Sequence, residues 1–335
     1  MSAASGWRVI MDLRIKELPV SEIGYAETMK EKVEPFLAQI RKEDFFRGYD
    51  GNNIHFEKYL IPDALGSVTV VHGFTESAEK FREMVFNFIV MGYNVFLLDQ
   101  RGHGKSFRYN DDPMTVAIRK FDEYVKDLDV FVNTVVKPDS QGLPLYLYSH
   151  SMGGAVAIQY LQTYGKVFDK AVLSAPMVLC KTASLNQNLA LAVARVFCAI
   201  GKNDDMVIGF KGFEPDKTYL DSNMTSEARF NYYHAKRCAT KEYQTASASY
   251  RWVKEAVLVA KKNLDPARCA KIETPILLCQ PEEDGSVVSE KEDEFIKLVP
   301  DGRLVQFKNS KHEIYGSVDD TLLEYLKTIE SFYKE

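Results

Sequence analysis

Cysteine is scarce in this 335-residue chain, and the five that occur (Cys180, Cys198, Cys238, Cys269 and Cys279) are scattered and odd in number. No Cys-x-x-Cys pair is present, which argues against a disulfide framework and against a zinc site. Free thiols in a reducing compartment are expected, and the chain is read as cytoplasmic. Long apolar runs are missing too: no stretch reaches the roughly 20 residues that a membrane-spanning helix needs. The amino-terminal residues MSAASGWRVIMDLRIKELP lack the charged-then-apolar layout of a secretion signal. Nor is one sign of charge dominant. Against 42 Lys and Arg stand 47 Asp and Glu, a net charge of −5, so no nucleic-acid partner is expected. Internal repeats and low-complexity tracts are absent.

What is present is alternation. After an amphipathic helix over about 21–40, with Met29, Val33, Phe36, Leu37 and Ile40 on one face, a hairpin is expected over Asp44–Tyr49 and Asn53–Ile61. Strands then alternate with helices: Gly66–Val71, helix Ala78–Met91, Tyr93–Leu98, helix Phe121–Val136, Leu145–Tyr148, a helix from Ala155, and Ala171–Val178. The pattern resumes with Pro275–Cys279, helix Glu290–Leu298, Leu304–Phe307 and helix Leu322–Tyr333. Such spacing predicts an α/β fold, a mostly parallel sheet with helices on both faces, and sites at the carboxyl ends of the strands. The long interruption from 179 to 272 exceeds any ordinary loop and reads as a helical insertion. Residues 1–178 and 273–335 then make the core.

The chemistry gathers around Ser149-His150-Ser151-Met152-Gly153-Gly154. A strand turning sharply into a helix about a serine is the setting of a nucleophile elbow, with the Met152 N–H at a helix start ready to meet negative charge. A serine nucleophile needs a base, an orienting acid and a second N–H donor. Among six histidines, His55 reads as a surface residue, His234 as part of an inserted helix, and His72 and His103 as loop-shaping residues with satisfied ring nitrogens. His150 adjoins the serine and points elsewhere. His312, just after the last strand, remains as the base. The acid is expected after the Pro275–Cys279 strand, where Glu282, Glu283 and Asp284 compete. Asp284 is favoured by the Gly and Val residues that follow it, with Glu283 as the alternative. The second N–H donor is expected at Phe74, where Gly73 lets the backbone come close.

Together, His72-Gly73, DQRGHGKS at Asp99–Ser106, HSMGG at His150–Gly154, LSAPM at Leu173–Met177, the Asp284 turn and HEIY at His312–Tyr315 resemble one family. It is the α/β-hydrolase family of lysophospholipases and monoacylglycerol lipases, and YRWVKEAV at Tyr250–Val257 resembles its bacterial lysophospholipase branch. The resemblance runs from about Asp44 to the carboxyl terminus. Its one departure is Ser149, which stands where glycine is usual and removes no catalytic atom. The resemblance implies a Ser151–Asp284–His312 triad, an oxyanion hole of the Phe74 and Met152 N–H groups, and a helical cap over 179–272. It implies hydrolysis of a lysophospholipid or monoacylglycerol ester through an acyl-enzyme, with no metal or organic cofactor. Gly73, Met177 and Trp252 are the candidate substrate contacts, and Phe210 and Phe213 could join Trp252 in an acyl pocket.

The apolar stretch Leu189–Ile200 has two readings: a helix packed on the rest of the cap, or a lid helix making transient contact with a lipid surface. A proline-iminopeptidase-like aminopeptidase on the same fold is the alternative activity. It would hold a substrate amine with cap acids such as Asp204, Asp205, Glu214, Asp216 or Asp221. Dehalogenase or epoxide hydrolase chemistry needs an aspartate where Ser151 stands. A non-catalytic ligand-binding homologue would lose a triad member, and here all three are present.

Overall fold

Alternating strands and helices make one eight-stranded sheet in the computed structural model, which describes residues 18–182 and 185–335. Most of the amino-terminal stretch inspected for a secretion signal lies outside the described residues. The strands are β1 (Arg41–Arg47), β2 (Asn53–Tyr59), β3 (Gly66–Val71), β4 (Tyr93–Leu98), β5 (Leu145–His150), β6 (Lys170–Ser174), β7 (Ile276–Pro281) and β8 (Gly302–Phe307). Their order across the sheet is β1-β2-β4-β3-β5-β6-β7-β8. The β1–β2 hairpin is antiparallel and joins β4 antiparallel; every other pairing is parallel. The expected α/β architecture is therefore the observed one.

Strand periodicity decides what each face buries. On β5, Leu145 and Leu147 join one core cluster, while Tyr146 and Tyr148 join the other. The first cluster includes residues of helices α2 (Asp122–Phe131), α3 (Met152–Tyr164), α6 (Tyr250–Asn263) and α7 (Ser289–Leu298). The second takes in α1 (Arg82–Val90), α8 (Asp319–Lys334) and the amino-terminal helical segment, which runs from Tyr25 to Ile40 through a π turn at Met29–Val33. That segment buries Met29, Val33, Phe36 and Leu37, four of the five residues expected on its apolar face; Ile40 is partly buried against the same cluster. At the open edge, β1 exposes Lys42, Glu43 and Asp44, charges that discourage pairing with another sheet.

Between β6 and β7 the chain leaves the sheet and forms α4 (Gln187–Ala199), α5 (Glu227–Ala239) and α6. The strand expected over Ala171–Val178 stops at Ser174, because Ala175 takes a left-handed φ of 42° and turns the chain beneath α3. Helix α5 is fastened to the body of the molecule by the buried Arg229. Its guanidinium meets both carboxylate oxygens of Glu83 on α1 at 2.9 Å, Asp319 on α8 at 3.0 Å and the Val20 carbonyl at 2.6 Å. Among the described residues, no helix is long and apolar enough to cross a membrane.

Candidate active site

The turn from β5 into α3 places Ser151 at φ 51° and ψ −118°, a conformation that costs an L-residue about 1–3 kcal/mol and needs surrounding structure to hold it. That support is local. The Ser151 N–H donates to the Ser174 carbonyl at 3.1 Å, and the Ser151 carbonyl accepts from Met177 N–H at 2.8 Å. The Leu173–Met177 segment thus forms the cradle of the turn. Helix α3 also passes so close to the end of β3 that a Cβ on Gly153 would collide with the carbonyl oxygens of Val71 and His72. Ser149 fits without glycine: it is fully buried between Val71 of β3 and Leu173 of β6, and its hydroxyl reaches the Val172 carbonyl at 3.4 Å.

The structure brings Ser151, His312 and Asp284 together. Ser151 Oγ lies 2.8 Å from His312 Nε2, and His312 Nδ1 lies 2.7 Å from Asp284 Oδ2. The other oxygen, Asp284 Oδ1, accepts the N–H groups of Ser286 and Val287 at 2.7 and 2.8 Å. Burial alone would raise the Asp284 pKa, but the His312 hydrogen bond and charge and these two N–H groups hold it below the usual carboxylate value. Glu283, the alternative acid, is exposed. Met152 is the first residue of α3, so its N–H has no acceptor in a preceding turn.

Glycine at 73 lets Ser151 Cβ, His150 and Glu76 close in around the loop; a side chain there would meet all three within 3.0 Å. Gly73 itself does not line the substrate cavity, contrary to its expected role as a substrate contact. His72 fixes the loop further. Its Nδ1–H donates to the Gly73 carbonyl at 2.7 Å and its Nε2 accepts the Gln100 N–H at 2.9 Å, a pairing consistent with a neutral ring whose pKa burial lowers. His103 satisfies only one nitrogen, at the Arg101 carbonyl; its Nε2 has no partner. His55 is not at the surface. It is 2% exposed, with Nδ1 2.9 Å from Asp99 Oδ2, and although burial would raise the Asp99 pKa, the His55 bond and charge bring it to about 2. His55 also stands near Glu43 and Glu57, the one cluster of potential metal ligands among the described residues. Glu57 is already occupied by the Arg82 guanidinium, which leaves that cluster little charge to offer a cation.

Ser151 opens onto a cavity of about 590 Å³, within the range that holds a small-molecule ligand. Met177, Val193, Ala194, Val207, Val253 and Trp252 are among its apolar lining residues, and Trp252 stacks on Phe74 with ring centres 4.0 Å apart. Lys181, Thr182, Asn223 and Ser286 are among its polar lining residues. Phe210 lies at the cavity, but Phe213 does not; it packs on His234 and the Arg237 guanidinium instead. The cap acids point away. Asp204 pairs with Arg119 and Glu214 with Lys211, and neither these nor Asp205, Asp216 and Asp221 line the cavity.

A family described as serine aminopeptidase, S33 (Hydrolase_4) matches residues 62–319. The chain belongs to this family of hydrolases. The α/β-hydrolase is 28% identical over 304 residues to lysophospholipase L2 of Escherichia coli K12, covering 88% of this chain and 87% of that protein. It is 31% identical over 143 residues to the monoacylglycerol lipase of Mycolicibacterium smegmatis, which covers 42% of this chain and 49% of the other. In fold it is similar to a soluble variant of monoglyceride lipase from Saccharomyces cerevisiae in complex with a substrate analog. That pair has a TM-score of 0.71 and 17% identity, covering 88% of this chain and 94% of the other.

Sequence reasoning passed over Glu76 and took His150 to point away from the chemistry. His150 Nε2 stands 3.2 Å from the His312 carbonyl oxygen, and Glu76 stands 3.1 Å from His150 Nδ1. The signal available was the spacing of Glu76 three residues after Gly73, whose N–H it accepts at 2.6 Å.

Proposed function

We propose that the protein is a serine hydrolase that cleaves the carboxylic ester of a single-chain lipid, a lysophospholipid or a monoacylglycerol, through an acyl-enzyme. One observation carries the reading: the hydrogen-bonded line Asp284–His312–Ser151 ends at a cavity lined by both apolar and polar side chains. His312 takes the Ser151 proton as Oγ attacks the ester carbonyl, and Asp284 stabilises the imidazolium that forms. The Phe74 and Met152 N–H groups receive the oxyanion. His312 returns the proton to the departing glycerol-containing alcohol, and water then releases the fatty acid by the same steps. Residues 179–272 act as the cap, with Met177 and Trp252 against the acyl chain. The exposed Leu189, Val196 and Ile200 give this cap apolar residues at its surface for transient contact with lipid aggregates.

The aminopeptidase reading wants a free carboxylate for the substrate amine. The two acids that do line the cavity, Glu76 and Glu313, share the Lys80 ammonium at 2.9 and 2.8 Å. A panel of p-nitrophenyl esters, monoacylglycerol, lysophosphatidylcholine and proline-naphthylamide separates the readings. Ester cleavage is expected, falling on the order of 10⁶-fold in Ser151→Ala. Cleavage of the amide alone would favour the aminopeptidase, and no cleavage with no fluorophosphonate labelling of Ser151 would favour a binding role.

Acyl-chain length gives a second check. Ala194 is buried on the cavity side of α4, so Ala194→Phe is expected to cut kcat/KM for long-chain esters by about tenfold or more while sparing acetate esters. An equal loss across chain lengths would place the acyl group elsewhere.

A further inference from the structure

Behind the serine–histidine–aspartate line lies a buried group of side chains that the ester chemistry does not use directly. Glu76 Oε2 accepts the Gly73 N–H at 2.6 Å and stands 3.1 Å from His150 Nδ1. Its other oxygen, Oε1, accepts from the Lys80 ammonium at 2.9 Å and from the Tyr315 hydroxyl at 2.5 Å. The remaining His150 nitrogen, Nε2, stands 3.2 Å from the backbone carbonyl oxygen of His312. Glu76 and His150 are only 3% and 2% exposed, although both border the Ser151 cavity.

The chemistry of the two neighbours fixes the state of the ring. A carbonyl oxygen can only accept, and Glu76 is committed to accepting from the Gly73 N–H and from Lys80. A neutral imidazole owns one N–H and could satisfy only one side. The imidazolium satisfies both. We propose that His150 is a fixed imidazolium paired with Glu76, and that this pair is a positioning device holding the His312 loop and the Gly73–Phe74 loop in register with Ser151. The inference rests on the ester-hydrolase reading of the site.

The surroundings balance this charge. Glu76 and Glu313 bring two negative charges against Lys80 and the imidazolium; Tyr315 and the His312 ring, at 4.9 Å between centres, contact the His150 ring, and His72 is a further titratable group within electrostatic reach. Burial pulls the His150 pKa down, but the Glu76 charge and hydrogen bond, with Glu313, more than offset this and leave it raised. Glu76 shows the converse: burial would raise it, yet Lys80 and His150 hold it well below the usual value. A raised histidine pKa means that the pair is complete below about 6.5, the ordinary histidine value, and is lost as pH rises through the folded value. An alkaline decline in activity is the expected outcome of losing the His150 charge. Removing the Glu76 charge should move that decline to lower pH.

Two measurements on the full-length protein test this. In protein labelled with ¹⁵N-histidine, both His150 ring nitrogens, assigned by their absence in His150→Gln, are expected to carry protons at neutral pH. An unprotonated nitrogen overturns the proposal. With p-nitrophenyl butyrate, Glu76→Gln and His150→Gln are each expected to lose on the order of 10²-fold in kcat, with KM changed by less than about twofold. Fluorophosphonate labelling of Ser151 should slow in parallel, Glu76→Asp should restore part of the rate, and the alkaline decline of Glu76→Gln should sit at lower pH. Parental rates and an unmoved pH profile in both variants overturn the positioning role while the ester-hydrolase reading stands. A parent protein whose Ser151 is not labelled overturns both. Should the variants fail to fold, the parent's His150 ring nitrogens are assigned by through-bond correlation to the His150 backbone, and an unprotonated nitrogen still overturns the proposal.

Discussion

Asp284→Asn is expected to lower kcat for ester substrates by about 10⁴-fold with KM little changed. The reason is specific to how this carboxylate is held. Oδ1 accepts two backbone N–H groups, from Ser286 and Val287, so the oxygen of an asparagine amide must take that place. Its NH₂ group is then turned toward His312 Nδ1, where Asp284 Oδ2 now sits at 2.7 Å. Two donors cannot face each other, so His312 shifts its proton to Nε2. In that tautomer Nε2 donates to Ser151 and cannot accept its proton. Steady-state kinetics on p-nitrophenyl butyrate, with thermal unfolding to show an intact fold, provide the measurement. A loss below tenfold would remove Asp284 from the role of acid and return Glu283 to consideration.

The second large effect concerns stability. Arg229→Met is expected to destabilise the protein by about 3–5 kcal/mol, because it strands a buried carboxylate rather than deleting one surface ion pair. Glu83 would keep only the Tyr25 hydroxyl, 2.8 Å away, after losing both guanidinium bonds. The Val20 and Ser317 carbonyls would lose a donor as well. Asp319 is about a third exposed and contributes less. Urea unfolding followed by fluorescence is the assay, and a change below about 1 kcal/mol would show that the four segments are held by apolar packing instead. Adding Glu83→Leu to Arg229→Met should recover part of the loss, since the stranded charge is then gone.

The parallel sheet could be read from the sequence because its strands are short runs of buried residues on both faces, separated by helices of 3.6-residue period. Helix α3 and the turn before it were legible for the same reason, since a serine between a strand and two glycines admits few backbone paths. The positions of Asp284 and His312 followed from the strands that precede them. The state of His55 did not. Its place in the early hairpin suggested a surface position, but Asp99, 44 residues away, draws the ring inward. The Glu76–His150 pair was hidden in the same way, because it joins residues 74 positions apart whose meeting depends on the β3–β5 pairing. Phe213 was placed in the acyl pocket on composition alone, and the cation of Arg237 offered its ring a different partner.

Strands β6 and β7 are hydrogen-bonded neighbours, paired from Ala171–Ile276 to Ser174–Cys279, yet α4, α5 and α6 lie between them in the chain. The excursion therefore leaves and rejoins the sheet at adjacent positions, about one strand spacing apart. Changes of length around α4 need not alter the register of any strand, whereas α5 and α6 are tied to the body through Arg229 and through Trp252, Ala256 and Val259. On the proposed function, the Ser151 site and the α4 segment bordering its cavity are thus separately variable parts of one polypeptide. Such a chain can acquire a new diet without relearning its chemistry.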